Sequence, residues 1–432
     1  MLHPNLSLNE KGHLTIGGLD AVELAAQYGT PAYIIDEDMV RKNCRTYRSA
    51  MAKYFGGNSR PLYASKALSC TGIYHLVREE GLGIDCVSGG ELFTAKTAGF
   101  PAGRIYFHGN NKTDRDLCDA LDMGVGTIVV DHEDELRALA ALAAERGIRQ
   151  RILLRISPGI DPHTHRAIST GSVDSKFGRA IETGQAKAIV AEALSLPSID
   201  LAGLHCHIGS QIFEIDPFVD AARIMTAFLG ELKRDLGFDC RELNLGGGLG
   251  VRYTEFDPVI DYADAIRRMA EVVHALCAEN KIPVPDILLE PGRSLVAAAG
   301  TTLYTVGSVK EIPGFKCYVS VDGGMPDNPR YALYGSRYTA LIANRAGEEK
   351  TETVTIAGRC CESGDLIGEE MPLQPARRGD ILAVLSTGAY NYSMASNYNR
   401  IPRPPVIFVA GGQTTLAVRR ETYRDIVALD QL

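Results

Sequence analysis

The sequence predicts a (β/α)8 barrel joined to an all-β domain. Three observations predict it. Eight short apolar or β-branched runs alternate with amphipathic segments over about 230 residues, as a closed parallel barrel requires. After about residue 295 the helical patterns stop and Gly/Pro turns separate strand-like runs. The chain's 432 residues exceed a barrel of about 250 residues by roughly one further domain.

The eight runs are Pro61–Ala64, Gly83–Val87, Ile105–His108, Thr127–Asp131, Arg151–Ile156, Leu201–His207, Glu242–Leu245 and Asp286–Glu290. Helix formers with an apolar stripe fill Glu133–Arg146, Ala180–Leu194, Pro217–Leu236 and Tyr262–Asn280. A doubly wound sheet is the rival, but it normally carries fewer strands. Strands of the second domain are read at Thr301–Val309, Lys316–Val321, Thr353–Ala357, Asp380–Leu385, Val406–Val409 and Thr415–Val418. A strand at His13–Ile16 and a helix at Ala21–Tyr28 precede the barrel and are assigned to the β domain. The expected division is therefore 1–34, an N-terminal segment of the β domain; 35–294, the barrel; and 295–432, the β domain proper.

Barrels place their chemistry at the C-terminal ends of their strands. Those ends carry Tyr63-Ala64-Ser65-Lys66, Asp85 with Ser88-Gly89-Gly90-Glu91, His108, Arg155, His205-Cys206-His207-Ile208-Gly209-Ser210, Gly246-Gly247-Gly248 and Glu290-Pro291-Gly292-Arg293. Polar and glycine-rich groups thus gather at one rim. Glycines without a Cβ let backbone amides approach an anion, and the loops after strands 7 and 8 are a common phosphate site. Lys66 ends an apolar strand, where desolvation would depress its pKa and favour Schiff-base chemistry; the plainer reading is a lysine reaching for solvent. His205 and His207 lie two apart, so on a regular strand they face opposite ways. A metal held by this pair with His108 and Asp131 is an open alternative. Glu290 could hold a pyridine nitrogen protonated, or simply pair with Arg293.

Composition narrows the classes. A net charge of −8 gives no electrostatic footprint for nucleic acid. No apolar run is long enough to span a bilayer, and the polar start MLHPNLSLNEKGHL is not a signal peptide. The ten cysteines show no CxxC pair. These features predict a cytoplasmic chain with inert core thiols, the adjacent Cys360-Cys361 excepted. The glycine count of 44 exceeds the usual share, and part of the excess, Gly89-Gly90, Gly209, Gly246–Gly250 and Gly292, falls on the predicted rim.

Six motifs, Y-A-S-K at 63–66, D-C-V-S-G-G-E at 85–91, H-C-H-I-G-S at 205–210, G-G-G-L-G at 246–250, E-P-G-R at 290–293 and C-E-S-G-D at 361–365, together resemble the alanine-racemase-like, pyridoxal-phosphate-dependent decarboxylases. The resemblance runs from about Pro31 to about Pro405 and is strongest toward the branch acting on diaminopimelate. It implies a barrel, a C-terminal β domain and a homodimer with shared active sites. It implies that Lys66 carries pyridoxal 5'-phosphate, that His207 stacks on the ring and that Glu290 bonds the pyridinium nitrogen. Ser210, Gly246, Gly247, Gly248 and the turn Glu290, Pro291, Gly292, Arg293 would bind the phosphate with Tyr390, and Asp85 and Ser88 would support the site from behind. Arg293, Arg330 and Tyr334 would clamp a distal carboxylate, a role that suits a planar guanidinium. Glu362, Ser363 and Tyr390 would complete the substrate site. Cys361 of the partner subunit would donate a proton to the carbon that loses CO2.

The implied reaction converts meso-2,6-diaminopimelate to L-lysine and CO2, the last step of lysine biosynthesis, with no metal. A proline commonly precedes the C-E-S-G-D loop in that family; here Gly358-Arg359-Cys360 stands there. That predicts a changed loop backbone and leaves open whether Cys360 or Cys361 faces the cofactor. The long stretch from Ser157 to Arg179, with His163, His165 and Lys176-Phe177-Gly178, is read as a lid. Three alternatives remain: a same-fold decarboxylase of carboxynorspermidine, a D-amino acid or a carrier-tethered amino acid; a silent pyridoxal-phosphate-binding regulator; and a metal-dependent hydrolase.

Overall fold

A computed structural model describes residues 1–160 and 176–431. Among the described residues, thirteen strands precede residue 290. Three short ones, β1 (Leu6–Leu8), β2 (Leu14–Ile16) and β3 (Leu19–Asp20), form a small antiparallel sheet, and β4 is Ala32–Asp36. Then follow β5 (Arg60–Ala64), β6 (Gly83–Cys86), β7 (Ile105–Phe107), β8 (Thr127–Val130), β9 (Gln150–Ser157), the two-residue β10 (Arg179–Ala180), β11 (Ile199–His205), β12 (Glu242–Asn244) and β13 (Asp286–Leu289). All of β5–β9 and β11–β13 pair in parallel, and β8 pairs β9 so that the ring closes. The eight-strand barrel expected from periodicity is the one observed.

Local sequence sets the helices between these strands. Asp36 caps the helix Glu37–Tyr54 by accepting from the Met39 amide, and Asp261 caps Tyr262–Asn280. Thr113 and Asp116 form a reciprocal box at the start of Asp114–Met123. Ser88 caps Gly89–Thr97, so Gly89-Gly90 opens a helix and does not line the rim site as expected.

The barrel interior is layered. At the N-terminal end the buried Glu242 carboxylate meets Arg60 at 3.2 Å, Arg151 at 3.1 Å and the Tyr106 hydroxyl at 3.0 Å. Above it lies an apolar layer of Leu62, Tyr106, Val129, Leu153, Ala202 and Leu288. The next layer, facing the C-terminal rim, is polar. Such packing makes the barrel a filled core with one reactive end.

The second sheet is built on β14 (Gly300–Ile312). Its first half pairs antiparallel with β4 and its second half with β15 (Lys316–Val321). Beyond them come β16 (Ala340–Ile342), β17 (Glu352–Ala357), β18 (Leu366–Leu373), β19 (Ile381–Leu385), β20 (Val406–Ala410) and β21 (Gln413–Val418). The path is β18-β17-β15-β14-β4-β20-β21, with β19 joining β14 to β16. Residues 32–36 therefore sit mid-sheet between β14 and β20. The N-terminal strand expected in this sheet instead lies in the separate β1–β3 sheet. It still shares a core with the second domain, where Leu14 and Ile16 pack with Leu303, Leu385 and Ile407. Among the described residues, no helix is long and apolar enough to cross a membrane.

Gly203 in β11 marks where barrel strands touch backbone to backbone. A Cβ there would lie 1.7 Å from the Glu242 carbonyl oxygen. Gly203→Ala is expected to destabilise the fold by about 1–3 kcal/mol or more, the usual cost of overpacking. Urea unfolding measures this, and an unchanged midpoint would refute the close contact.

Candidate active site

The rim pocket is lined by Ala64, Lys66, Asp85, His207, Ser210, Gly248, Leu249, Glu290, Gly292, Arg293, Ser294 and Tyr390. Eleven of these come from the barrel and Tyr390 from the second domain, so the pocket lies at their junction. Within the second domain Gly388 and Gly300 meet backbone to backbone, which sets the course of the segment that carries Tyr390. A Cβ on Gly388 would lie 1.9 Å from the Val296 carbonyl oxygen, and one on Gly300 would lie 2.2 Å from Gly388. Beyond that contact the Tyr390 amide donates to the Ala67 carbonyl at 2.7 Å, beside Lys66. Tyr390 itself has φ 64°, a left-handed conformation uncommon for an aromatic residue and typical of functional positions.

Glu290 lies at the pocket floor. His108 Nε2 is 2.9 Å from its Oε1, His205 Nε2 is 3.2 Å from Oε2, and Asn244 donates to Oε1 at 2.7 Å. Burial alone would raise its pKa, but His108 and His205 outweigh it and hold the carboxyl well below its usual range. Glu290 is thus an anion partnered by the histidines and Asn244, not by Arg293. Burial lowers His205 to about 4, so its ring is neutral near pH 7.

The strand β11 ends at His205, two residues short of the expected end. His205 enters the barrel under Glu290, while His207 lies beyond the strand at the pocket wall. The alternation argument holds for neither, because the second histidine is in a loop. Burial, with Lys66 and Arg155 nearby, holds His207 well below the usual histidine pKa. The Gly247 amide donates to its Nδ1 at 3.3 Å, which leaves Nε2 to carry the proton.

Lys66 departs from expectation. Its side chain is open to the pocket although protein surrounds it. Burial pulls its pKa down, yet Tyr390, Asp85 and Glu290 raise it above the ordinary value. Without a bound carbonyl it is an ammonium ion. Asp85 faces it, pushed up to about 6 mainly by burial, with His108 pulling the other way.

The glycine run is explained by packing. Cβ atoms on Gly246, Gly247 and Gly248 would lie 2.5 Å from the Cys206 oxygen, 2.0 Å from the Glu290 oxygen and 2.2 Å from the Gly209 oxygen. These glycines let three rim loops touch, and Gly248 also lines the pocket. Gly292 packs likewise on Ala64 at 2.9 Å.

Arg293 donates through Nη1 to the Tyr253 hydroxyl at 2.7 Å and through Nη2 to Ser210 at 2.9 Å. Its fork is already engaged, so it offers Nε rather than a free bidentate edge. Arg330 is equally buried and donates to the Tyr338 hydroxyl at 3.0 Å. Both guanidiniums stand over the Tyr253 ring, at 5.8 and 5.1 Å. Neither makes an ion pair with a carboxylate among the described residues. Burial would raise the Tyr253 pKa, but the two guanidiniums bring it below the usual value. Tyr253, Asn244 and Tyr338 were not singled out by sequence, although Asn244, like the expected rim residue Arg155, stands near a strand end where a search for polar groups finds it.

Other expected site residues lie elsewhere. Cys361, Glu362 and Ser363 are exposed on the loop between β17 and β18, outside their own chain's pocket, and Tyr334 ends the short helix Arg330–Tyr334. Cys360 is half-buried beside Asp365 and its thiol is pushed up to about 12 by burial, which leaves Cys361 as the exposed thiol. His163 and His165, with most of the stretch read as a lid, lie outside the described residues. Asp131, a possible metal ligand, instead accepts from the Gly178 amide at 2.5 Å. Among the described residues, one trio of ligand-type groups converges, His108, His205 and Glu290. The trio includes the predicted His108 but takes His205 and not His207.

A closed barrel with a lysine, an anionic glutamate and a neutral histidine around one rim pocket defines an enzyme of amine–carbonyl chemistry. Residues 37–297 match the family model described as pyridoxal-dependent decarboxylase, pyridoxal binding domain. The chain belongs to the pyridoxal-dependent decarboxylases, and its cofactor is pyridoxal phosphate. It is 49% identical to the diaminopimelate decarboxylase of Bacillus subtilis (strain 168), over 99% of this chain and 98% of that one. It is 49% identical to the diaminopimelate decarboxylase of Halalkalibacterium halodurans, over 99% and 97%. Its fold matches the crystal structure of the M. jannaschii diaminopimelate decarboxylase in complex with L-lysine, with TM-score 0.91, 35% identity and coverage of 99% and 98%.

The residues present fit the cofactor. Arg293 Nε and Asp85 Oδ1 are buried polar atoms without a hydrogen-bond partner among the described residues, and both residues line the pocket beside the Lys66 amine.

These histidines give the fold a pH dependence. An unfolded histidine takes a proton near pH 6.5, while folded His205 does so only near 4. Between those values the unfolded chain binds more protons, so stability falls on acidification. Glu290, already depressed, loses its contribution only further down. Asp85, pushed up to about 6, acts in the opposite sense, so the difference between variant and parent is the readout. Urea midpoints should fall from about pH 7 to about pH 5, and His205→Asn should flatten that slope. An unaltered slope in the variant would overturn the assignment.

Proposed function

We propose that this chain decarboxylates meso-2,6-diaminopimelate and releases L-lysine and CO2. The observation that carries the reading is the pair of buried guanidiniums, Arg293 and Arg330, sharing Tyr253 beside the Lys66 pocket with no carboxylate partner among the described residues. Two buried cations without a counter-anion are costly, and a substrate carrying a second carboxylate supplies the anion. A substrate whose distal end bears only an amine would meet repulsion there. The relatives' names and the L-lysine complex of the M. jannaschii enzyme support the same substrate.

In this reading Lys66 would hold pyridoxal phosphate through its amine, Glu290 would pair with the pyridine nitrogen and His207 would support the ring, while Ser210, Gly246–Gly248, the Glu290–Arg293 turn and Tyr390 would hold the phosphate. When bound, the cofactor supplies an electron sink for the pair left behind by CO2. Glu290 serves that chemistry by remaining an anion, and the two histidines under it keep it so. Arg293 and Arg330 with Tyr334 orient the distal carboxylate, and Glu362 and Ser363 receive the distal ammonium.

The Cys361 loop does not line its own chain's pocket, so a homodimer in which each chain delivers this loop to the other completes the site. Cys361 of the partner subunit then gives its S–H proton to the carbon that lost CO2. A C–H bond forms, and the thiolate recovers a proton from water. The ten unpaired cysteines suit a reducing compartment and support a cytoplasmic setting.

Incubation with pyridoxal phosphate and meso-diaminopimelate should yield lysine and CO2 in equal amounts; neither product at saturating substrate would refute the reading. Lys66→Ala is expected to abolish turnover, and substantial residual activity would remove Lys66 from its role. Arg330→Ala should weaken substrate binding by about 1.5–3 kcal/mol, the range for hydrogen bonds to charged groups, and so raise KM at least roughly tenfold. An unchanged KM would take Arg330 out of the clamp.

A further inference from the structure

We infer that Asn399 is a positioning residue for the proton step, acting by holding the backbone of Cys361. This rests on the reading of Cys361 as proton donor. The Cys361 amide donates to Asn399 Oδ1 at 2.8 Å. The preceding amide, that of Cys360, donates to Asp365 Oδ2 at 2.6 Å. Two consecutive peptide groups are thus tied to side chains from two different segments. The two amides flank Cys360, so the backbone leading into Cys361 is fixed, and the turn after Cys361 is closed by the Asp365 amide donating to the Glu362 carbonyl at 3.1 Å; together they set the direction of the Cα–Cβ bond that carries the thiol.

Asn399 is held in place at a cost. It lies at φ 52° and ψ 25°, and Arg400 follows at φ 57°. Two successive left-handed residues, neither a glycine, each cost roughly 1–2 kcal/mol. Asparagine tolerates this region better than most residues, but arginine does not. Such a pair persists where its surroundings over-determine it. The surroundings here are the C-terminal segment. Asn397 donates to Glu421 at 2.6 Å, Arg403 donates to Glu421 at 2.7 Å, and Arg400 pairs with Asp430 at 3.0 Å.

The opposite anchor is just as specific. Asp365 is buried and also accepts from the Met325 amide at 2.5 Å. A Cβ on Gly358 would lie 2.2 Å from its carboxylate and one on Gly324 2.3 Å. The absence of a side chain at Gly358 follows from this crowding.

Asn399 and Cys361 are both exposed in the single chain. A hydrogen bond at such a place contributes little to folding, so the strain of the left-handed pair has no matching gain in stability. Aim of the thiol is the gain that matches it. A hydrogen bond from backbone to Asn399 leaves the thiol itself unencumbered, and the donor arrives at the partner's pocket already oriented.

The test compares Asn399→Ala, Asn399→Asp and Cys361→Ala holoenzymes with the parent, reading kcat, KM for meso-diaminopimelate, thermal midpoint and the solvent deuterium isotope effect on kcat. Asn399→Ala should lower kcat about 3- to 10-fold, the factor one lost hydrogen bond produces. KM should stay unchanged, the thermal midpoint should fall only slightly because alanine takes up the left-handed conformation less readily than asparagine, and the isotope effect should grow as proton transfer slows. Asn399→Asp keeps an acceptor oxygen and should restore most of kcat. An unaltered kcat in Asn399→Ala, or a loss matched by a fall in thermal midpoint and not rescued by Asp, would overturn the inference. If Cys361→Ala turned over like the parent, the donor reading would fail, and the inference with it. A crippled Cys361→Ala beside a normal Asn399→Ala would sink the inference alone.

Discussion

The buried carboxylate of Glu290 is the interaction on which the rest of the site depends. An ionised carboxylate inside a barrel is costly unless it is paired and hydrogen-bonded. Here the partners come from three other strand ends: His108 after β7, His205 closing β11 and Asn244 closing β12. One anion therefore draws four strand ends toward a common point beneath the pocket. The histidines with Asn244 keep Glu290 charged, so the floor of the pocket carries a carboxylate held in place from below. Any cationic ring nitrogen placed above would find its counter-charge waiting.

Around that floor, the rim is assembled by backbone contact. Gly247 against the Glu290 carbonyl, Gly248 against Gly209 and Gly292 against Ala64 leave no room for side chains. The consequence is rigidity at the level of whole loops, which is what positions catalytic groups more finely than loose side-chain packing could. The second domain uses the same device internally, and the bond from the Tyr390 amide to the Ala67 carbonyl ties it to the rim. Gly300 and Gly388 meet, and the tight contact delivers Tyr390 in a left-handed conformation next to Lys66. The glycine surplus is thus partly a record of loops that must touch.

Much of this was legible in the sequence, and the reasons are local. The eight barrel strands could be read because each is a short apolar run between amphipathic segments. Lys66 and Glu290 stood out as polar residues closing such runs. Strand ends were less secure: β11 stops at His205, so His207 lies in a loop and strand alternation does not decide where either histidine points. The sign of the Lys66 shift was also hidden, because Tyr390, Asp85 and Glu290 come from remote segments and outweigh burial. Tyr253 was invisible for the same reason. Nothing nearby in sequence says that it lies under two arginines, one 40 residues on, the other on a different domain. Asn399, 38 residues from Cys361, is another such case.

Charge around the pocket is distributed in depth. Anions lie low, with Glu290 at the floor and Asp85 at the wall, while Lys66, Arg155, Arg293 and Arg330 stand around or above them. The chain's net charge of −8 says nothing of this arrangement, since exposed charges are screened within about 10 Å and buried ones are not. Arg293 joins the two ends of the pocket: one arm is on Ser210, next to the loops that surround the phosphate in the proposed reading, and the other is on Tyr253, which it shares with Arg330. A shift of Arg293 on binding a phosphate would therefore be felt at Tyr253 and at the second guanidinium. In the proposed reading, a single side chain, Arg293, thereby links the groups around the phosphate to those around the distal carboxylate.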